Sequence, residues 1–283
     1  MSFIPPMLAT RLEDPRRLAD PRYSAEPKLD GQRAQLHVRD HRTVQAFSRP
    51  GRELITLPGL ARLRELRWPV AAAVLDGEAV AGDGSEGIQA VFEARTRPGS
   101  LMAFAAFDLL ELDGHSDMAE PWTARRKRFE DLLEAPSSGM CLVPVTDDAP
   151  ALWDTWVGQG GEGIVLKERT SVYRPGVRSP AWLKLKPKLT LDVVVTGGSA
   201  DRVRWGDWGE AVILAFRYTH PRTGAEVEIR QAVRVPRDLP FDLRIGEHLA
   251  LVCWGVMPSG MLRHPLLRAE SSSARRQHAR VSQ

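Results

Sequence analysis

Lys28 lies in the stretch Ala25-Glu26-Pro27-Lys28-Leu29-Asp30-Gly31-Gln32-Arg33, where an amine, carboxylates and a guanidinium gather round a glycine. Strands expected at Tyr23 to Glu26 and Gln32 to Val38 put Lys28 at a strand end, with Gly31 permitting the tight turn that a side chain would obstruct. A lysine so placed is either a nucleophile toward a bound ligand or a solvated side chain beside a hairpin turn. Asp76 and Glu78 share a face of an apolar strand with Val74 and Val80, so burial demands cations or donors nearby. Glu162 sits in Gly160-Gly161-Glu162-Gly163, whose glycines allow close ligand approach. Lys184 and Lys186 alternate with Leu183 and Leu185, which puts both ammoniums on one strand face as a phosphate grip or a solvated edge. Phe107 is a core aromatic or a ring for a ligand, and the turn Ser48-Arg49-Pro50-Gly51 exposes Arg49 just beyond a strand.

The elements that must position these residues follow from the pattern. Residues 1 to 22 read as an extended lead-in interrupted by Pro5, Pro6, Pro15 and Pro21. A hairpin runs from Arg33 to Val38 and Thr43 to Ser48, turning at Arg39-Asp40-His41. Helices are expected at Leu57 to Leu66, Gly87 to Arg95, Ala124 to Leu133 with Thr123 as N-cap, and Ala149 to Gly158. Strands are expected from Ala71 to Val80, Leu101 to Leu110 with a turn at Asp113-Gly114, Cys141 to Val145, and Ile164 to Leu166. Pro187 closes the lysine-bearing strand, and Lys188 to Thr190 reads as a linker. Beyond it, Asp192 to Thr196, Ala211 to Tyr218, Glu226 to Val235 and Glu247 to Trp254 have the spacing of a small barrel of the oligonucleotide-binding kind. Arg202-Val203-Arg204-Trp205-Gly206-Asp207-Trp208 reads as a barrel loop that stacks bases and touches phosphates, or whose tryptophans plug the barrel end. The basic tail from Ser271 is expected to be disordered.

At 283 residues the chain has material for one large domain or two ordinary ones. No apolar run nears the roughly 18 residues that span a bilayer, and the first residues show no secretion signal. Cys141 and Cys253 belong to no Cys-x-x-Cys pair, so both are expected as buried small apolar residues, which argues against zinc and fits a reducing cytoplasm. A net charge of +3 and a pI of about 9.1 hint at a polyanionic partner.

Taken in order, six segments resemble the ATP-dependent DNA ligases of the covalent nucleotidyltransferase superfamily. They are Glu26 to Arg33, Ser48-Arg49-Pro50-Gly51, Leu75-Asp76-Gly77-Glu78, Phe107-Asp108-Leu109-Leu110, Glu162-Gly163-Ile164-Val165-Leu166-Lys167 and Trp182-Leu183-Lys184-Leu185-Lys186. The resemblance implies an α+β fold: a nucleotidyltransferase domain of packed antiparallel sheets with helices over 1–187, an all-β OB-fold domain over 188–270, and a tail over 271–283. It implies that Lys28 attacks the α-phosphate of ATP, with Asp30, Lys184 and Lys186 also catalytic. Glu26 would read the adenine amine, Arg33 and Glu78 would hold the ribose, and Phe107 would stack on the base. Glu78 and Glu162 would hold Mg²⁺ or Mn²⁺, and Lys184 and Lys186 would grip phosphate.

The partner implied is nicked double-stranded DNA, met by Arg49 at the 5′-phosphate and by Arg202, Arg204, Arg263 and Arg268. The protein is expected to be a cytoplasmic monomer without membrane contact, a compact ligase of bacterial or viral style with no DNA-binding domain upstream. Missing zinc cysteines and the early position of Lys28 favour ATP over NAD. In the family's last motif, Gly260 to Glu270 matches the beginning, but Ser271 stands where lysine is expected, which leaves the efficiency of self-adenylation open: either Arg263 and Arg268 still serve, with Arg275 or Arg276 compensating, or the step is slow. The alternatives are an RNA ligase or capping guanylyltransferase and, from another class, a non-catalytic nucleic-acid-binding protein.

Overall fold

The structure, a computed structural model, describes residues 2–12, 14–56, 60, 63–65, 67–81, 91, 102–132, 140–204, 209–237, 241–257 and 259–268. Most of the helix expected at 57–66, nearly all of that at 87–95, Trp205 to Trp208 and the tail from Ser271 lie outside them. The chain divides into two compact units, Met1–Lys186 and Pro187–Gln283.

The first unit carries two sheets. One has the order β1 (Leu8–Arg11), β10 (Arg178–Leu185), β9 (Ile164–Glu168), β2 (Tyr23–Pro27). The other runs β4 (Arg42–Ser48), β3 (Gln32–Arg39), β5 (Ala72–Val80), β6 (Ala103–Leu112), β7 (His115–Ser116), with β8 (Met140–Leu142) beside β6. The expected hairpin is present: Asp40 and His41 both take positive φ, as a two-residue turn matched to strand twist requires. Apolar residues sit inside because β3, β5 and β6 alternate. Leu36, Leu75 and Phe104 pack with Phe129 of helix α1 (Trp122–Leu132) on one side of their sheet. Met7, Trp122, Tyr173 and Trp182 form a separate core cluster.

Several local expectations change. The lead-in is not uniformly extended: β1 pairs in parallel with β10, and a 3-10 turn spans Pro15–Ala19. Thr123 is not an N-cap, because α1 already begins at Trp122 and the Thr123 hydroxyl donates to the Arg169 carbonyl. The helix expected from Ala149 is present, but α2 (Ala149–Leu152) is α-helical for only four residues before it widens into a π-helical turn over Trp153–Val157. Cys253 is buried, but Cys141 is exposed.

The second unit is a closed barrel in the order β11 (Leu189–Arg204), β12 (Glu210–Thr219), β13 (Glu226–Arg234), β15 (Leu266–Leu267), β14 (His248–Cys253). Leu189 and Thr190 already pair with Cys253 and Val252, so they belong to the barrel and not to a linker. A bulge region at Gly197 and Gly198 lets β11 bend round the barrel; a Cβ on Gly198 would fall 2.2 Å from the Ile213 carbonyl oxygen. Val193, Val212, Leu214, Phe216 and Leu251 fill the interior. Among the described residues no helix is long and apolar enough to cross a membrane.

Candidate active site

A cavity of about 220 Å³ is lined from both sheets of the first unit. One sheet supplies Leu8, Ala9, Glu26, Pro27, Val165, Lys167, Arg178, Trp182 and Lys184; the other supplies Arg33, Glu78 and Phe107. Lys28 and Leu29 enter from the turn after β2, and exposed Arg49 from the turn after β4.

Lys28 is placed by its own backbone, whose N–H donates to the Gly163 carbonyl at 2.8 Å. Its ammonium meets Glu162 Oε2 at 2.5 Å, and the other Glu162 oxygen receives Lys186. Burial alone would raise the Glu162 pKa, but the two ammoniums overcome it and hold the carboxyl below its usual range. Burial pushes Lys186 down, as it does Lys184, where Arg178, Lys186 and Lys28 add like-charge repulsion. Among the described residues Lys184, which lines the cavity, makes no hydrogen bond or ion pair, and the Glu162 carboxylate is the nearby charge that favours its protonated form.

Glycine serves a different purpose here from the one expected at Gly160 to Gly163. A Cβ on Gly163 would stand 2.1 Å from the Leu185 carbonyl oxygen, and one on Gly161 would strike the Trp156 indole. At both positions the lack of a side chain admits the protein's own chain. Gly31 likewise lies against β5, where a Cβ would be 2.4 Å from the Ala79 carbonyl oxygen. That approach brings the Lys28 turn up to Glu78.

The carboxylates expected to need partners mostly have them. Buried Asp76 takes both forks of Arg33, at 2.7 and 2.5 Å, and the Tyr173 hydroxyl at 2.6 Å. Glu26 is buried against Lys167 at 2.7 Å; burial pushes the acid up and the amine down, and their contact opposes both shifts. Glu78 makes no hydrogen bond among the described residues, and burial pushes its pKa up to about 7 despite Lys28 and Arg33. Phe107 is neither pure core nor free: Arg33 lies 4.5 Å over its ring and Trp182 meets it edge-on at 6.3 Å. Asp30 stands half-buried in the turn beside Gly31.

Of the two carboxylates expected to hold a divalent cation, Glu162 has both oxygens engaged by Lys28 and Lys186, whereas Glu78 makes no hydrogen bond among the described residues, and Mg²⁺ commonly completes such a set with phosphate oxygens and water. Among the described residues no cluster of three or more His, Cys, Asp or Glu forms an all-protein cage.

The structure adds residues that the sequence reading did not single out. Lys167 sits fully buried with its ammonium 4.5 Å from both the Phe107 and Trp182 ring centres. Trp182 and Arg178 line the cavity. The signal was present in the alternation: Val165 and Lys167 share one face of β9, and Arg178, Trp182 and Lys184 share one face of β10. In the barrel unit, Arg202 and Arg204 stand on β11, not in a loop, and Arg202 pairs with Glu210 at 2.7 Å. Arg263 is buried at 3% exposure with its pKa lowered to about 10 by that burial, whereas Arg268 is exposed.

Comparison with known proteins matches residues 6–186 to the family model of the ATP dependent DNA ligase domain. A DNA ligase of Natronomonas pharaonis is 35% identical over 204 residues, covering 66% of this chain and 35% of that protein. The chain thus spans about a third of the length of such relatives. The ligase domain of LigD from M. tuberculosis superposes with a TM-score of 0.57 at 26% identity, covering 94% of each chain. A mycobacterial DNA ligase D complexed with ATP and MES shares the fold at 23% identity, with a TM-score of 0.56 over 96% of this chain and 97% of that one.

Proposed function

The chain belongs to the ATP-dependent DNA ligase family, and from that premise we propose that it seals nicks between a 5′-phosphate and a 3′-hydroxyl in duplex DNA. Residues 1–187 act as the adenylation domain and 188–270 as the OB-fold domain. The observation that carries the reading is the Lys28 ammonium at the wall of a cavity lined by cations, Lys184 among them without an ion pair among the described residues, and by aromatic rings. The ATP bound by the mycobacterial ligase D of the same fold supports a nucleotide there.

In the first step Lys28 Nζ attacks the α-phosphorus of ATP, forming a P–N bond as the bond to pyrophosphate breaks. The amine attacks in its neutral form, so the proton it holds against Glu162 must first pass to solvent. Phe107 and Trp182 offer rings to the base, Glu26 accepts from the adenine amine, and Arg33 and Glu78 hold the ribose. Lys184, Lys186 and Arg178 face the phosphates, where transfer depends on positioned positive charge more than on acid–base groups. A divalent cation held by Glu78 and Glu162 would draw further negative charge from the reacting phosphoryl group. AMP then passes from Lys28 to the DNA 5′-phosphate, where Arg49 is the guide, and the 3′-hydroxyl displaces AMP. Arg204 and Arg268 are the exposed barrel contacts to the duplex; Arg263, being buried, supports them from beneath.

The test is joining of a nicked, 5′-labelled duplex with ATP and Mg²⁺, beside GTP and a nicked RNA duplex as comparators. Joining of the DNA nick with ATP supports the reading. Joining confined to RNA, or labelling by GTP alone, would replace it with an RNA ligase or a guanylyltransferase.

A further inference from the structure

The main chain of buried Met7 is held from both sides. Its N–H donates to the Tyr173 hydroxyl at 2.9 Å, and its carbonyl accepts from Arg33 Nη2 at 3.3 Å. Tyr173 in turn donates to Asp76 Oδ2 at 2.6 Å, the oxygen that also receives Arg33 Nη2 at 2.5 Å. Met7, Tyr173, Asp76 and Arg33 therefore close a ring of hydrogen bonds. The ring joins the segment leading into β1, the loop between β9 and β10, and strands β5 and β3. Arg33 faces the cavity, but Tyr173 does not line it and is 3% exposed.

The fork of Arg33 spends Nε and Nη2 on Asp76 and Met7, and among the described residues Nη1 makes no hydrogen bond. Which way Nη1 points depends on the rotation of the Asp76 carboxylate, because a planar guanidinium follows the plane of the oxygens it grips. A terminal carboxylate torsion is soft by itself. The Tyr173 hydroxyl, itself fixed by the Met7 amide, removes that freedom. We propose that Tyr173 is a positioning residue that, through Asp76, aims the Arg33 guanidinium at the ribose hydroxyls of the nucleotide. This rests on the ATP-dependent reading above and adds to it the device that reads the sugar.

The experiment compares self-adenylation of the full chain by ATP, 2′-deoxyATP and 3′-deoxyATP in wild type and Tyr173→Phe. The phenylalanine ring keeps the edge contact to Trp182, now 5.8 Å between centres. Wild type is expected to prefer ATP to at least one deoxy analogue. Tyr173→Phe is expected to raise the KM for ATP about tenfold, the scale of one hydrogen bond to a charged group, with kcat little changed. The ATP-to-deoxy preference should fall toward one. A merely structural loss would slow all three nucleotides alike and leave the preference at its wild-type value, which overturns the proposal. Asp76→Asn keeps the shape of the intermediary, and carries the same test if the phenylalanine variant does not fold. A wild type without sugar preference that still seals nicks would sink the ribose role of Arg33, and this proposal with it, while leaving the ligase reading standing.

Discussion

In the first unit, charge is drawn inside: Glu162 lies between Lys28 and Lys186, Glu26 against Lys167, Asp76 against Arg33, and Asp108 against an Arg125 that is 0% exposed. In the barrel the interior is apolar round Phe216 and Leu251, and the ion pairs of Arg217 with Glu226 and His248 with Asp192 lie in solvent, while that of Arg202 with Glu210 is part-buried. Desolvating an ion pair often costs more than its attraction returns, so a fold has no general reason to gather so many. Three of these pairs, those of Lys28, Arg33 and Lys167, put at least one member in the cavity wall. Arg263 is buried, but the charges of these barrel pairs lie at or near the surface, and the barrel interior is held by apolar packing.

The widest gap between the regions is expected at the nucleophile. Lys28→Ala should abolish ATP-dependent nick joining, and Lys28→Arg should not restore it because a guanidinium stays protonated. Joining of a pre-adenylated nick should survive in Lys28→Ala, measured on the same denaturing gel. In the barrel the comparable loss is structural: Phe216→Ala should destabilise that unit by about 3–5 kcal/mol, read by denaturant unfolding. If both changes merely lowered stability, the contrast would fail.

The next effect sharpens the cavity side. Lys184→Ala and Arg178→Ala should each raise the KM for ATP roughly tenfold, the order of a charge-assisted hydrogen bond, in initial-rate self-adenylation. A smaller effect concerns pH. Burial raises Glu78 to about 7 in the folded chain, so the folded state favours the protonated acid. Its contribution is fully present below the ordinary carboxyl pKa and is lost as pH rises through about 7. Ligand-free Glu78→Gln should therefore melt above wild type at pH 8 and approach it by pH of about 4.5. An equal gap at both pH values would show that charge is not the cause. Smallest of all, Arg204→Ala should flatten the log–log salt dependence of nicked-duplex binding by about one unit of slope and leave self-adenylation untouched.

Much of this arrangement was legible because it is local. The turn at Asp40-His41 and the alternation that turns Lys184 and Lys186 from Leu183 need only neighbours in sequence. Strand β1 was not legible: four residues among prolines become a strand only by pairing with Arg178 to Lys184, far along the chain. The glycines around Glu162 misled for the same reason, since what approaches Gly163 is the distant Leu185 backbone. Glu162 itself was read as a metal ligand, but its present partners, Lys28 and Lys186, come together only in three dimensions.

Covalent linkage of Lys28 to AMP is the step from which the proposed joining follows. Incubation of the purified protein with α-labelled ATP and Mg²⁺, denaturing electrophoresis and peptide mapping test it directly. Label is expected on the wild type, mapped to Lys28 and absent from Lys28→Ala. Label mapped to another lysine, or retained in Lys28→Ala, would contradict it.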